Sequence, residues 1–212
     1  MYRYFVHPPF WLSAFFPRRI WTIKTNSPTI YLTFDDGPHP VITPKVLELL
    51  RHFNAKATFF CLGKNVSSHP DIFERIKADG HSIGNHSYHH VNGWKASNAS
   101  YLEDVMHANE LIKSPLYRPP YGRLKFSQAS LLREMGYQLI MWTLLSADYD
   151  QRLSKEDCYQ RVWKHVHPGA IVLFHDSEKA ADNMLYTLER VLKEASKVGY
   201  QFKAIEHKKG SA

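Results

Sequence analysis

The run Thr29-Ile30-Tyr31-Leu32-Thr33-Phe34-Asp35-Asp36-Gly37-Pro38 is apolar and β-branched up to Phe34, then breaks into two carboxylates followed by Gly-Pro. That is the pattern of a buried strand over 29–34 that stops abruptly. Adjacent carboxylates at a strand end repel each other and are costly to desolvate, so a fold that keeps them there supplies a cation or divides their roles. Asp-Asp-Gly-Pro is also ordinary turn chemistry, and the six residues from Thr33 taken alone favour a solvated turn. The remainder of the chain shifts that balance.

Downstream of this run, strand-like segments alternate with segments of helical period. Strands are expected at 57–62, 81–85, 116–118, 138–145, 170–174 and 200–206, and helices at about 43–53, 70–79, 100–113, 127–135, 154–166 and 181–198. Thr43-Pro44 marks a helix start, and Gly80, Gly136 and Gly199 mark helix ends. Strand-then-helix repeats of this length imply parallel strands with right-handed crossovers, either an α/β barrel or an open doubly wound sheet. No linker or low-complexity tract divides 29–212, so it is expected to be one domain.

At 212 residues and 44% hydrophobic content, the chain can bury a full core without a disulfide. Cys61, inside an apolar run, and Cys158, inside a helical pattern, read as separate buried thiols. The net charge of +7 fits a generally basic surface with no specific partner, with an anionic substrate or membrane surface as the alternative. No basic run interleaved with aromatics marks a nucleic-acid groove, so no nucleic-acid partner is expected. Residues 1–28 form an aromatic and basic extension. Its run Phe10-Trp11-Leu12-Ser13-Ala14-Phe15-Phe16 is too short to span a bilayer and lacks a signal-peptide cleavage site, which favours a cytoplasmic location. The extension is expected to pack on or near the barrel, with peripheral membrane contact as the alternative.

In both candidate architectures, loops at the carboxyl ends of the strands build the active site. The chemistry-bearing residues fall there: Asp35 and Asp36 after the first strand, His86 and His90 after the third, Arg118 after the fourth, Asp148 after the fifth, His175 after the sixth. His86 and His90 are four apart, a spacing that puts both imidazoles on one face of a helical turn, as a shared metal ion needs. Thirteen histidines make a chance pair unsurprising, so the pair gains weight only with a third ligand. Asp36 completes a two-histidine, one-carboxylate set suited to Zn²⁺, and also to Fe²⁺, Co²⁺, Ni²⁺ or Mn²⁺. Asp35 is then free to take a proton from water, and His175 can protonate a leaving group. Arg118, stiffened by Pro119-Pro120, can pair with Asp35, and Asp148 can orient His175.

Thr-Phe-Asp-Asp-Gly-Pro at 33–38, His-Ser-x-x-His at 86–90, Arg-Pro-Pro-Tyr-Gly at 118–122, Asp-Tyr at 148–149 and Leu-Phe-His at 173–175 resemble, in that order, the five motifs of the polysaccharide deacetylase family. This is the NodB-homology type, carbohydrate esterase family 4, and the resemblance covers residues 29–207. It implies a distorted (β/α) barrel of about seven parallel strands with one divalent metal, usually zinc, that hydrolyses N-acetyl or O-acetyl groups on a glycan. It further implies Asp35 as base, Asp36, His86 and His90 as metal ligands, and Arg118 as the group that positions the base. His175 corresponds to the acid and Asp148 to its partner. The Tyr121 amide corresponds to the oxyanion donor, and Tyr149 and Leu173 to walls of an acetate pocket. Such proteins commonly act at the cell envelope.

Two features depart from the family pattern. The fourth motif has Leu145 and Tyr149 where relatives often carry an acid and a tryptophan. Trp94, in Asn92-Gly93-Trp94-Lys95, adds an aromatic suited either to stacking on a sugar or to packing within its own loop. A non-haem iron oxygenase using the same three ligands and a non-catalytic sugar-binding module are the competing functional readings.

Overall fold

A computed structural model describes His7 and residues 10–207. The first six residues, Pro8 and Pro9, and with them part of the N-terminal extension, lie outside the described residues, as do 208–212.

The chain forms a curled sheet of parallel strands wrapped by helices. β1 (Thr29–Asp35) is central, with β2 (Ala57–Cys61), β3 (Ser82–Asn85), β4 (Leu116–Tyr117) and β5 (Gln138–Leu139) on one side and β7 (Ile171–His175) and β6 (Leu144–Leu145) on the other. All seven are parallel, and a short β8 (Gln201–Phe202) pairs with Thr29 and Ile30 of β1. The helices are α1 (Phe10–Phe15), α2 (Ile42–His52), α3 (Gly63–Ser68), α4 (Pro70–Ala78), α5 (Asn98–Ile112), α6 (Phe126–Glu134), α7 (Lys155–Trp163) and α8 (Ala181–Lys197). The distorted-barrel expectation holds, and no described helix is long and apolar enough to cross a membrane.

Side-chain alternation along β1 divides the molecule into two compartments. Ile30, Leu32 and Phe34 point outward into the core beneath the helices, whereas Thr33 and Asp35 face the barrel interior, where both meet Arg118. In the outer core Phe34 is in register with Phe59 of β2 and with Phe174 of β7. The three rings stack across the strands, with centroids 4.9 and 5.7 Å apart. α8 lays Met184, Leu188, Val191, Leu192 and Ala195 onto this core, a spacing of three and four residues that gives one buried stripe.

The strand expected over 138–145 is instead two two-residue strands. β5 pairs with β4 and β6 with β7, so the sheet is open between them. An unbroken apolar run cannot reveal that its two ends hydrogen-bond to opposite edges of an open barrel. Part of the extension crosses the gap. Ile20 N donates to Leu139 O at 2.8 Å, and Met141 N donates to Ile20 O at 2.7 Å. Thr22 forms an antiparallel bridge with Ala170. The last strand is likewise shorter than the expected 200–206, and α3 was not expected, being a single short turn with one buried apolar side chain, Val66. Cys61 and Cys158 are free and buried, as expected.

Because Phe34 carries the aromatic row, Phe34→Ala is expected to lose about 3–5 kcal/mol of unfolding free energy in urea denaturation. A loss below about 1 kcal/mol would contradict this account of the outer core.

Candidate active site

Strand register sets the site's level. Asp35 ends β1 opposite His175, which ends β7, and opposite Phe60 of β2. Asn85 ends β3 opposite Tyr117 of β4, so His86 and Arg118 are the next residues along. The carboxyl ends of the strands thus surround a cavity of about 500 Å³, lined by Asp35, Asp36, His86, His90, Tyr121, Tyr149, Leu173 and His175 among others.

At the floor, Arg118 is fully buried. Its Nη1 donates to Asp35 Oδ1 at 2.7 Å and to Thr33 Oγ1 at 2.8 Å. Nη2 and Nε donate to the carbonyls of Met141 (2.8 Å) and Ile140 (3.2 Å), and the guanidinium lies 4.1 Å from the centroid of Phe60. The hydrogen bonds fix the charge and hold one oxygen of Asp35, leaving the other toward the cavity.

Asp36 has φ of 81°, in the left-handed region, so its carboxylate leaves the strand in a different direction from that of Asp35. Gly37 follows in a cramped position. Its N–H donates to Asp176 Oδ1 at 3.0 Å, and an added Cβ would come within 2.2 Å of that carboxylate. Asp176 also accepts from Thr43 Oγ1 at 2.5 Å, and burial pushes its carboxyl up to about 7.

The histidine pair does not lie on a helical turn as its spacing had implied. Residues 86–90 form an irregular loop in which Ser87 and His90 are left-handed, with φ of 68° and 60°. Asp104 on α5 fastens the loop by accepting from Tyr88 N (2.9 Å) and His89 N (3.1 Å), and Asn85 Oδ1 accepts from Ser87 N. The backbone turn, rather than helical periodicity, brings the imidazole centroids within 5.1 Å.

One ligand-type atom from each of Asp36, His86 and His90 lies within 4.8 Å of the other two. Asp36 Oδ1 is buried and accepts no hydrogen bond, although His90 Nε2 and His86 Nε2 approach to 3.4 and 3.8 Å. An orphaned buried carboxylate oxygen facing two imidazole nitrogens fits a divalent cation. Both rings are suited to ligation. Burial, assisted by the neighbouring His90, lowers His86 to about 3, and burial lowers His90, so each is neutral. The backbone oxygen of Arg118 holds His86 Nδ1 at 2.8 Å, which directs Nε2 toward the cluster.

Across the cavity, His175 Nδ1 lies 2.8 Å from Asp148 Oδ1, and His175 N donates to Asp148 Oδ2 at 2.8 Å. Burial would lower the imidazole, but the adjacent Asp148 carboxylate outweighs it and raises His175 to about 9, leaving Nε2 as the proton-bearing atom on the cavity side. Tyr149 stands edge-on to His175 at 5.0 Å, and Leu145 pairs in register with Leu173, so both departures from the fourth motif lie on the cavity wall. Tyr121, left-handed at φ 59°, sets its ring 4.4 Å from His90. Trp94 does not line the cavity; it stands beyond Arg123, which does. Sequence reading missed Trp142, Arg123, Ser177 and Lys179 on the wall and Asp104 behind it, and it gave no role to Thr33, in the first motif, or to Asp176, which follows His175. No motif marks Trp142, Ser177, Lys179 or Asp104.

A carboxylate paired with a buried arginine, a neighbouring carboxylate–imidazole cluster fit for a divalent ion, and a protonated histidine opposite fit the site of a hydrolase. The family comparisons agree with that class. Residues 22–140 match the family model described as polysaccharide deacetylase, and the chain belongs to that family. A Bacillus cereus peptidoglycan-N-acetylglucosamine deacetylase is 34% identical over 188 residues, covering 86% of this chain and 88% of that protein. The solved structure of the Bc1960 peptidoglycan N-acetylglucosamine deacetylase superposes with a TM-score of 0.86 at 28% identity, covering 93% of this chain and 95% of that one. BA3943 from Bacillus anthracis, described as a family 4 carbohydrate esterase pseudoenzyme, superposes at 0.79 with 26% identity, covering 88% and 67%. Membership makes this protein a carbohydrate deacetylase and decides against the iron-oxygenase reading.

Arg118→Met would strand the Asp35 carboxylate without its cation, and a loss of about 3–5 kcal/mol is expected in urea denaturation. His175 gives a pH signature. Its folded-state value of about 9 exceeds the ordinary 6.5, so its charge contribution is complete below 6.5 and fades as pH rises through 9. Unfolding midpoints of the wild type and His175→Gln measured from pH 6 to 10 are expected to converge at the alkaline end.

Proposed function

We propose that this enzyme removes the acetyl group from N-acetylglucosamine residues of peptidoglycan, with Asp35 as general base and His175 as general acid. The carrying observation is the division of the adjacent carboxylates. Asp35 is tied to Arg118, whereas Asp36 keeps a buried, unpartnered oxygen beside His86 and His90. The substrate follows the names of the Bacillus cereus relative and the Bc1960 structure.

A divalent cation on Asp36, His86 and His90, with zinc favoured by the nitrogen-rich donor set, supplies Lewis-acid chemistry that polarises the acetyl carbonyl and lowers the pKa of water. The chain's own residues carry the protons. Asp35 accepts one from water as the water oxygen attacks the acetyl carbon, and the hydrogen bond from Arg118 keeps the carboxylate aimed. The Tyr121 N–H donates to the developing oxyanion. His175, charged and oriented by Asp148, gives its proton to the amide nitrogen as the C–N bond breaks, releasing acetate and a free amine. Tyr149 and Leu173 enclose the acetyl methyl.

Asp35→Asn is expected to lower the rate of acetate release by about 10²–10⁴-fold while zinc content, measured by plasma emission, stays near one per chain. Retained activity would sink Asp35 as the base. Since turnover needs protonated His175, kcat is expected to fall as pH rises through about 9. Asp148→Asn should move that limb down by about one unit or more, and an unmoved limb would contradict the pairing. Acetate release compared across peptidoglycan, chitin oligomers and acetylated xylan tests the substrate. Peptidoglycan is expected to give the highest kcat/KM.

A further inference from the structure

We propose that Trp94 and Arg123 form a glycan subsite just outside the cavity, where the sugar next to the one being deacetylated stacks on the indole. The identity of this ligand rests on the deacetylase reading above.

Arg123 lines the cavity, and its guanidinium carbon lies 5.1 Å from the centroid of the Trp94 ring. Trp94 therefore stands one side chain beyond the cavity wall. The guanidinium covers one face of the indole, yet the residue is 61% exposed, which leaves the opposite face to solvent. Single exposed apolar residues are common and need no function. What distinguishes Trp94 is that its loop is fastened from several sides. Trp94 N donates to Asn92 Oδ1 at 3.1 Å. The buried Gln128 Nε2 donates to Gly93 O at 2.9 Å, and Lys125 Nζ donates to Ala96 O at 2.6 Å. The loop also sits so close to the segment after the cavity wall that a Cβ on Gly93 would lie 2.5 Å from Arg123 O.

A platform held this way has little freedom left to lose on binding. A pyranose presents an apolar C–H face that lies flat on the open face of an aromatic ring, and the guanidinium behind the indole holds that ring in place. Continuity with the cavity makes the occupant a second residue of the same glycan. A free monosaccharide would fill the cavity and leave this platform empty.

The test compares wild type, Trp94→Ala and Trp94→Phe on the N-acetylglucosamine monomer and on its hexamer, with melting temperatures as a fold control. Trp94→Ala is expected to raise KM for the hexamer about three- to tenfold with a much smaller effect on the monomer, and Trp94→Phe to recover most of the loss. Equal effects on monomer and hexamer, or none on either, would overturn the subsite. Titration calorimetry of the hexamer against Asp35→Asn, with and without Trp94→Ala, separates this inference from the catalytic one. Weaker binding to the double variant upholds the subsite even if the wild type releases no acetate from this sugar. Equal affinities, or no binding to either variant, overturn it.

Discussion

One buried arginine holds the site together. Arg118 donates hydrogen bonds to Thr33 and Asp35 on β1 and to the carbonyls of Ile140 and Met141 in the gap between β5 and β6, and it rests on Phe60 of β2. A guanidinium cannot be buried without acceptors for its N–H groups, and these carbonyls are available because the strand breaks there. The discontinuity at 140–143 thus serves the charge in the middle of the barrel. On its far side the same segment is held by Ile20, so the extension closes the opening that Arg118 requires.

From that constraint the division of the two acids follows. Asp35 faces inward with Thr33, by the alternation of β1, and meets the arginine. Asp36 cannot do the same, and its left-handed backbone turns it toward the histidines. Non-glycine residues in this region are strained and survive only where the surroundings hold them. Besides Asp36, the rim carries Ser87, His90, Tyr121 and Ala147 in that conformation, each on a loop that follows a strand end. The strain therefore concentrates where ligands and cavity walls must be aimed. Asp176 and Asp104 hold two of these loops by accepting backbone N–H groups. A pseudoenzyme of the same fold shows that the barrel by itself does not confer activity.

Much of this was legible in the chain. The strand–helix alternation gives parallel strands in a barrel or a doubly wound sheet, the family motifs choose the barrel, and the rule that strand ends carry the chemistry gathers Asp35, Asp36, His86, His90, Arg118, Asp148 and His175 onto one rim. The pairs Arg118–Asp35 and Asp148–His175 were anticipated because each is an unlike-charge solution to a burial problem. The failures have a common cause. His86-x-x-x-His90 was assigned to a helical turn because spacing is visible in a sequence and backbone handedness is not. The run 138–145 was read as one strand because apolar pattern reports burial, whereas the break depends on which edge each end pairs with. Asp104 supports the loop 86–90 from α5, distant in sequence, and no local pattern marks it; Thr33 and Asp176 sit beside marked residues, but their partners Arg118 and Gly37 are far along the chain.

The account turns on which carboxylate holds the metal. Anomalous scattering at the zinc edge, from crystals of the enzyme loaded with one equivalent of Zn²⁺, tests this directly. A single peak bonded to Asp36, His86 and His90, with Asp35 still paired to Arg118, is the expected result. A peak ligated by Asp35, or an Asp35 turned away from Arg118 in the loaded enzyme, would contradict the division of roles on which the proposed chemistry depends.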